Sequence, residues 1–258
     1  MIDEQTNMPP LEPVIRDMQY LNRTLPGVEA NLALDEALLS RADREGGPPV
    51  LRVWELPTLA VVLGASCRWR QAVQVEACRR DGVAIARRSS GGGAVVIGPG
   101  ALNLTVVLPI AAAPGIGAVD IAQRFVLERV ADQLRALGPP VEVLGSGDLT
   151  IGLRKFSGSA QRRLRNFFLI HASILYDFPL ELIPQYLGLP NRQPEYRAGR
   201  SHDEFIRNLE LPRSAVLDAV RSAWLSPDGE VPEAEVPLAM VRELVESKFG
   251  APSWVARL

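Results

Sequence analysis

The chain has 258 residues, of which 47% are hydrophobic, and its 28 basic and 30 acidic residues give a net charge of −2. This is the composition of a globular protein, and the charge balance argues against a general nucleic-acid or anionic-membrane binder. The sequence shows no signal peptide and no apolar run near the roughly 20 residues of a transmembrane helix. Its two cysteines do not form a disulfide framework. We therefore expect a cytoplasmic protein whose partners include neither nucleic acid nor membrane.

The first half of the chain alternates helical and β-type segments. Prolines among polar residues predict a loose N-terminal arm at residues 1–13, and helical periodicity covers residues 28–44 and 71–80. The β-type runs are residues 50–54, 59–63, 83–88, 94–97 and 102–108. We expect a hairpin or tight connection between the first two of these runs and a hairpin formed by the last two.

The second half begins with the longest helical pattern, residues 119–137. The predicted strands that follow are residues 141–144, 148–153 and 167–176, and the predicted later helices are residues 179–187, 212–225 and 233–249. Between them, Ser201 and Glu204 have the spacing of a capping box at a helix start. Hairpins mixed with helices favour an α+β domain built on a largely antiparallel sheet.

Residues 87–95 read RRSSGGGAV and form the most unusual stretch of the chain. Three adjacent glycines are entropically costly, which indicates that another backbone or a ligand approaches closely. Arg87 and Arg88 beside such a turn are typical of a phosphate or carboxylate site, although a flexible loop with surface arginines has the same sequence. A β-type run follows the glycines directly, which argues against Walker and Rossmann phosphate loops because both continue into a helix.

Lysine is scarce, since Lys155 and Lys248 are the only two among the 28 basic residues. A compact ammonium group suits a tight site better than a planar guanidinium does, and this favours a functional role for Lys155 over a charge at a hairpin edge. The small residues 157–160 follow it, and they would let a ligand lie close to the chain. Asp148 has the oxygen chemistry for Mg²⁺, and a turn residue is the equally weighted alternative.

The histidines and cysteines give weaker indications. His171 lies in an apolar run and is expected to be a half-buried structural histidine, while His202 lies in a helix cap and is expected to be exposed. Cys67 has Arg68 and Arg70 nearby, which would lower the pKa of its thiol. A catalytic thiol at Cys67 is the less favoured interpretation.

Taken in order, these segments resemble the lipoate-protein ligase A family of the biotin/lipoate protein ligase superfamily. The resemblance runs from residue 31 to residue 189, and residues 155–161 (KFSGSAQ) are its most specific part. It implies an α/β fold with a mixed, largely antiparallel sheet flanked by helices, like that of class II aminoacyl-tRNA synthetase cores. Residues 14–258 would form one catalytic domain without the separate C-terminal accessory domain of full-length ligases.

The resemblance also implies a reaction, in which ATP activates lipoate or octanoate to an acyl-adenylate. The acyl group then passes to a lysine of a lipoyl domain, on the glycine cleavage H protein or a 2-oxoacid dehydrogenase E2. By position, Lys155 would be catalytic and Asp148 would hold Mg²⁺. The implied substrate- and adenylate-binding residues are Arg87, Arg88, Ser90, Gly91, Gly92, Gly93, Ala94, Asn103, Ser157, Gly158, Ser159, Ala160 and His171.

The sequence departs from the family pattern at residues 65–67, 97–98 and Gly147. Two related functions stay open beside the ligase, together with a possible separate accessory subunit. One is an octanoyltransferase or lipoyl amidotransferase, which would use an acyl-protein donor and a cysteine thioester; here residues 145–147 stand where that cysteine lies in one branch. The other is a non-catalytic lipoyl-binding or scaffold subunit.

Overall fold

The structure, a computed structural model, describes residues 17–112, 115–190, 193–226 and 232–257. The predicted N-terminal arm at residues 1–13 lies outside these ranges. The strands are β1 (Gln19–Asn22), β2 (Val50–Trp54), β3 (Ala60–Leu63), β4 (Ala84–Arg87), β5 (Ala94–Ile97), β6 (Ala101–Pro109), β7 (Glu142–Leu144), β8 (Asp148–Ile151), β9 (Arg154–Arg163) and β10 (Phe167–Leu175).

The helices are α1 (Val28–Glu45), α2 (Trp69–Ala72), α3 (Val75–Asp81), α4 (Val119–Arg135), α5 (Leu182–Tyr186), α6 (His202–Phe205), α7 (Arg213–Ser222), α8 (Leu238–Leu244) and α9 (Pro252–Val255). The described residues also contain a 3₁₀ turn (Glu195–Arg197) and a π-helical turn (Val245–Phe249). None of the described helices is long and apolar enough to cross a bilayer.

Two sheets form the framework. The larger has seven strands in the order β1-β2-β6-β10-β9-β8-β7, and all its neighbouring pairs are antiparallel except β1 with β2. The smaller has the order β4-β3-β5, in which β4 is parallel and β5 antiparallel to β3. The predicted mixed, largely antiparallel α/β architecture is thereby confirmed.

Helix α1 lies between the two sheets and explains why the hairpin predicted for β5 and β6 is wrong, whereas β2 and β3 have the tight connection that was the predicted alternative to a hairpin. Its apolar residues pack in one cluster with Val107 and Leu169 of the large sheet and with Val62 and Ala86 of the small one. Because each sheet buries one face against α1, the chain changes sheet between β2 and β3 and again between β5 and β6. Neither connection is a hairpin.

The large sheet is covered on both faces, and the two faces differ. The α1 face carries Val107 and Leu169, whereas Val106 and Ile170 point to the opposite face and pack in a second cluster with α4 and α7. Side chains alternate along a strand, so these assignments fix the direction of every other residue on β6 and β10. We call these two surfaces the α1 face and the α4 face.

Local predictions held better than long-range ones. The helix expected at residues 28–44 is α1, and the capping box of Ser201 and Glu204 is present at the start of α6. The helix expected at residues 71–80 is instead two short helices, because the backbone at Val73 is extended. Strand β9 was not predicted as a strand, since its Gly, Ser and Ala residues have little β-propensity.

The β8–β9 turn holds a strained leucine. Gly152 and Leu153 both have positive φ, at 55° and 63°, and the Leu153 side chain is half exposed. The left-handed conformation costs a residue with a Cβ atom about 1–2 kcal/mol, and asparagine tolerates it best among non-glycine residues. We expect Leu153→Asn to raise the free energy of unfolding by about 0.5–1 kcal/mol in urea titrations.

Leu189 is the matched control, because it is equally exposed and lacks a positive φ. Leu189→Asn should leave the unfolding midpoint in urea unchanged. An equal gain in both variants would show that exposed leucine, rather than backbone strain at residue 153, limits the stability.

Candidate functional site

Four neighbouring strands place the predicted site residues in one row on the α1 face. Asp148 of β8 pairs with Gly158 of β9, Gly158 with Ser173 of β10, and Ser173 with Asn103 of β6. Directly opposed residues share a face, so these four positions all point toward α1. Asn103 is buried, and its Oδ1 accepts a hydrogen bond from Ser173 Oγ at 2.6 Å.

Lys155 reaches over Gly158 to meet Asp148. Its Nζ lies 2.7 Å from Asp148 Oδ1, and a Cβ atom on Gly158 would lie only 2.6 Å from that nitrogen. The absence of a side chain at residue 158 therefore makes room for the ammonium group. The sequence analysis gave Lys155 and Asp148 separate roles, and the structure places the two side chains in direct contact.

A tyrosine that the sequence did not single out completes this cluster. Tyr196 donates a hydrogen bond to Asp148 Oδ2 at 2.7 Å. Burial and the neighbouring Asp148 carboxylate raise the pKa of Tyr196, so it keeps its proton. Both oxygens of Asp148 are thus engaged, one by Lys155 and one by Tyr196.

The small residues after Lys155 divide between the two faces. Gly158 and Ala160 lie on the α1 face, whereas Ser157 and Ser159 point to the α4 face. A register shift in the pairing of β8 with β9 brings Lys155 to the α1 face as well, where it meets Asp148. Ser159 Oγ donates to the Gly147 carbonyl and accepts from Gln123 of α4. Any contact that Ser157 or Ser159 makes with a ligand on the α1 face would therefore come from the main chain.

A second row of residues joins the glycine loop, residues 88–93, to the large sheet. His171 of β10 is paired with Ala160 and so lies on the α1 face next to the first row. Its Nε2 lies 2.6 Å from Ser90 Oγ. The loop therefore lies above β10, on the same side of the sheet as Lys155.

The three glycines of the loop differ in backbone conformation and in the space around them. Gly92 has φ +90°, which is a left-handed conformation, whereas Cβ atoms at Gly91 and Gly93 would meet nothing within 4 Å. The close backbone approach lies at Gly64, after β3, where a Cβ atom would lie 2.1 Å from the Gly92 carbonyl oxygen. Gly91 and Gly93 therefore border open space that a ligand can enter. Ala94 is the first residue of β5 and pairs with Leu63.

Arg87 is not at the ligand side of this loop, contrary to the prediction. Its guanidinium is fully buried and donates to the carbonyls of Gly64 and Cys67 and, across the fold, to those of Trp254 and Val255. Trp254 Nε1 in turn donates to the Arg87 carbonyl at 2.8 Å. Arg87 therefore fastens the C-terminal segment to the base of the glycine loop.

Arg88 is also turned toward protein atoms. Its Nη2 donates to the carbonyls of Gly91 and Gly93 at 2.6 and 3.1 Å, and its Nε donates to Ser90 Oγ at 3.0 Å. In this conformation the side chain shapes the loop, and its N–H groups are not free for the phosphate that the resemblance implied. Burial lowers the pKa of Arg88 to about 10, so it stays charged at neutral pH.

Neither Arg87 nor Arg88 forms an ion pair with a residue that the structure describes. Buried charges are normally paired, because removing an ion from water costs several kcal/mol. Here main-chain carbonyls take the place of a counter-ion for both side chains. The charge of Arg88 lies beside Gly91 and Gly93, and the preference of the loop for an anion stays a prediction.

Comparison with known proteins agrees with this geometry. Residues 28–226 match the model of the lipoyl protein ligase A/B catalytic domain. The chain belongs to this family. The matched residues include the glycine loop, the row of residues on the α1 face, and strands β8 and β9 with Lys155.

Two relatives of this chain are lipoate-protein ligases by name. It is 34% identical over 145 residues to the putative lipoate-protein ligase A of Aeropyrum pernix, a stretch that covers 56% of this chain and 52% of that one. It is 27% identical over 246 residues to lipoate-protein ligase A subunit 1 of Thermoplasma acidophilum, with 87% and 90% covered. The chain thus spans about half of the first relative and nearly all of the second.

Solved structures show the same fold. A bi-partite lipoate protein ligase of T. acidophilum, described with its E2 lipoyl domain, has a TM-score of 0.79 at 23% identity, with 93% of this chain and 96% of that chain covered. A lipoate-protein ligase A bound with ATP has a TM-score of 0.76 at 24% identity, with 94% and 100% covered.

The sequence interpretation of this ligase-family chain missed a buried ion pair, Asp35 of α1 with Arg52 of β2. Asp35 also accepts from Thr105 and lies 3.4 Å from His171 Nδ1. The available signal was a charged residue within an apolar pattern, at Asp35 among the leucines of α1 and at Arg52 between the apolar residues of β2. Charges at core positions are rarely tolerated without a partner.

Two side-chain predictions for the ligase-family chain are wrong. His202 is buried, with its Nε2 3.3 Å from the Gly188 carbonyl, and burial lowers the pKa of its imidazole. Burial raises the pKa of the Cys67 thiol and outweighs the opposite effects of Arg87 and Arg88, which replace the expected Arg68 and Arg70. A protonated thiol is a weak nucleophile, and this argues against a thioester at Cys67.

Proposed function

We propose that this chain is a lipoate-protein ligase, which activates lipoate or octanoate with ATP and transfers the acyl group to a lysine of a lipoyl domain. The acceptor would be the glycine cleavage H protein or a 2-oxoacid dehydrogenase E2. The observation that carries the proposal is the Lys155 ammonium group over Gly158, on the face of the sheet that the open glycines of the loop border.

Substrate binding would use the space between these two features. Gly91 and Gly93 leave room for a ligand against the loop backbone, and the charge of Arg88 beside them favours phosphate or carboxylate there. Because Gly158 and Ala160 have no large side chains, a ligand can lie close to the sheet surface between Lys155 and His171. A site of this shape and charge suits an extended acyl chain whose terminal carboxylate lies beside a nucleoside triphosphate.

Two displacement steps follow from these groups. A carboxylate oxygen of lipoate attacks the α-phosphorus of ATP, the bond to the β-phosphate breaks, and pyrophosphate leaves with its electron pair. The amine of the acceptor lysine then attacks the acyl carbonyl, loses a proton, and AMP leaves. In each step negative charge grows on an oxygen, and Lys155 is placed to stabilise it as a fixed cation.

Asp148 is the residue that would hold Mg²⁺. One carboxylate together with substrate phosphate oxygens is a sufficient donor set, since Mg²⁺ usually takes one or two carboxylates and keeps several waters. The cation would offset the charge of the triphosphate. Each Asp148 oxygen already accepts one hydrogen bond, so the ion would share the carboxylate with Lys155 and Tyr196, and each of these contacts weakens the donation to the ion.

Tyr196 should therefore compete with the cation. We expect Tyr196→Phe to lower the Mg²⁺ concentration required for half-maximal adenylation about 10-fold to 100-fold, the worth of one hydrogen bond to a charged group. Tyr176→Phe is the matched control, because Tyr176 also donates to a carboxylate, Glu55, at 2.7 Å. Unchanged Mg²⁺ dependence in Tyr196→Phe would contradict the competition.

The Thermoplasma relative is named a ligase subunit 1, and its alignment covers 87% of this chain and 90% of that protein. We infer that a separate accessory subunit completes this ligase as well. The inference predicts that transfer to the lipoyl domain is faster when the accessory protein encoded in the same genome is added.

A transfer assay with alternative donors tests the function. Purified chain is mixed with a lipoyl domain and either lipoate with ATP or octanoyl-carrier protein without ATP, and the acceptor mass is measured. The ligase predicts an ATP-dependent gain of one lipoyl group. A gain only from octanoyl-carrier protein would replace the ligase with a transferase, and lipoate binding without transfer from either donor would indicate a scaffold subunit.

A further inference from the structure

A chain of buried polar contacts links α1 to the glycine loop. Asp35 of α1 pairs with Arg52, and its Oδ2 lies 3.4 Å from His171 Nδ1. His171 Nε2 lies 2.6 Å from Ser90 Oγ, which accepts from Arg88 Nε at 3.0 Å. Arg88 then holds the carbonyls of Gly91 and Gly93.

In this series of contacts, one arrangement of the hydrogen atoms gives every donor an acceptor. The Arg88 guanidinium can only donate, so Ser90 Oγ is the acceptor in that contact. Ser90 is buried, and its own hydrogen requires an acceptor, which only an unprotonated His171 Nε2 supplies among its contacts. His171 must then carry its proton on Nδ1, where it faces Asp35.

The Asp35 carboxylate is suited to accept a hydrogen bond from the Nδ1–H group of His171. Burial by itself would raise the pKa of Asp35, but Arg52 and His171 more than offset burial, and the pKa lies below its ordinary value. Arg52 is fixed in turn by Asn31, which offers its main-chain carbonyl at 2.8 Å and its side-chain Oδ1 at 2.6 Å. The carboxylate is thus ionised and rigidly held on the side of His171 away from the loop.

We propose that Asp35 is a positioning residue, which acts through His171 and Ser90 to set the conformation of the glycine loop. Asp35 fixes the tautomer of His171, His171 fixes the direction of the Ser90 hydroxyl, and Ser90 with Arg88 fixes the carbonyls at Gly91 and Gly93. The functional importance of that loop rests on the proposed ligase function, whereas the tautomer and the loop order do not.

The order Asp35, His171, Ser90 is also that of a nucleophilic triad, but Ser90 does not fit that role. Its side chain is 1% exposed, and its oxygen is occupied by Arg88. A nucleophile needs a free approach for the acyl carbonyl. We therefore expect no labelling of Ser90 by a serine-reactive fluorophosphonate, and stoichiometric labelling would overturn the positioning role.

The tautomer is measured directly on the wild-type chain. Long-range ¹H–¹⁵N NMR separates the two imidazole nitrogens, and the chain has only two histidines, so His171→Gln assigns the signals. The proposal predicts neutral His171 with the proton on Nδ1. A proton on Nε2, or a doubly protonated ring at neutral pH, would overturn it.

Two variants separate positioning from general packing. Ser90→Ala and Thr105→Val each remove one buried hydroxyl from the Asp35 network, but only Ser90 contacts the loop arginine. Hydrogen–deuterium exchange of residues 88–95 should become about tenfold faster in Ser90→Ala and stay unchanged in Thr105→Val. KM for lipoate should rise in parallel in Ser90→Ala only. Equal effects in both variants would reduce the network to a structural role.

Asp35→Asn tests the first member of the chain. Without the carboxylate, the Nδ1–H tautomer of His171 loses its ionised acceptor, so the population of the Nε2–H tautomer should rise and exchange in the loop should become faster. Should this variant fail to fold because Arg52 loses its partner, the wild-type tautomer and the Ser90 and Thr105 pair still decide the proposal. A folded Asp35→Asn chain with wild-type tautomer and exchange would refute it.

Discussion

Lys155→Ala is expected to lower lipoate adenylation about 100- to 1,000-fold, the usual effect of removing one group that stabilises developing charge. The fold should survive, because the ammonium group is partly exposed and, among the residues that the structure describes, forms an ion pair with Asp148 alone. Pyrophosphate exchange measures the activity, and thermal unfolding measures the stability. Near-normal exchange in this variant would remove Lys155 from the mechanism.

Lys248 offers a matched control, because it is the other lysine of the chain. It also pairs with one carboxylate, Glu36, at 2.7 Å and lies against the rings of Phe249 and Trp254. Lys248→Ala should lower the stability by about 1–2 kcal/mol, because it removes a partly buried ion pair and the ring contacts of the ammonium group, and leave exchange unchanged. A matching loss of activity would show that any lysine deletion damages the protein.

Gly158→Ala tests the position of the Lys155 ammonium group without removing its charge. The new Cβ would lie 2.6 Å from Nζ and 2.8 Å from Cε of Lys155, so the flexible lysine must move away from Asp148. We expect exchange to fall toward that of Lys155→Ala while the unfolding temperature changes little. Full activity would mean that the position of the ammonium group over residue 158 is unimportant.

Gly64→Ala is the second substitution with a large expected effect. Its Cβ would lie 2.1 Å from the Gly92 oxygen and 2.8 Å from the Gly92 carbonyl carbon. Both are backbone atoms, so the loop has to shift, and overpacking of this kind costs about 1–3 kcal/mol. We expect that loss in urea unfolding together with loss of exchange activity.

Gly91→Ala is its control within the same loop. Residue 91 has ordinary φ, and a Cβ there would meet nothing within 4 Å. Stability should therefore stay within about 0.5 kcal/mol of the wild type. Activity should still fall, because the methyl group occupies space that the ligand needs. Unchanged activity would place the ligand away from Gly91.

The chemistry of the site could be predicted from the sequence because it is local. Scarce lysine marked Lys155, and three adjacent glycines marked the loop, without any knowledge of the fold. The direction of Arg87 could not be predicted, since its carbonyl partners at Trp254 and Val255 are distant in sequence. Local patterns carry no information about which carbonyl a guanidinium will meet.

The same limit applies to the fold. Helix α1 and the capping box of α6 follow from periodicity and short-range spacing, and both are present. Membership of β3 and β5 in a separate sheet depends on α1 filling the space between sheets, which no strand pattern reveals. Asp35 and Arg52 were missed for a related reason, because each is explained only by the other.

The most direct test of the proposed activity is lipoate-dependent ATP–pyrophosphate exchange by the purified chain with Mg²⁺ and no acceptor protein. The account predicts that labelled pyrophosphate enters ATP only when lipoate or octanoate is present, and that Lys155→Ala lowers this exchange about 100- to 1,000-fold. No exchange by the wild-type chain, while it transfers octanoyl groups from octanoyl-carrier protein to a lipoyl domain, would contradict acyl-adenylate formation at this site.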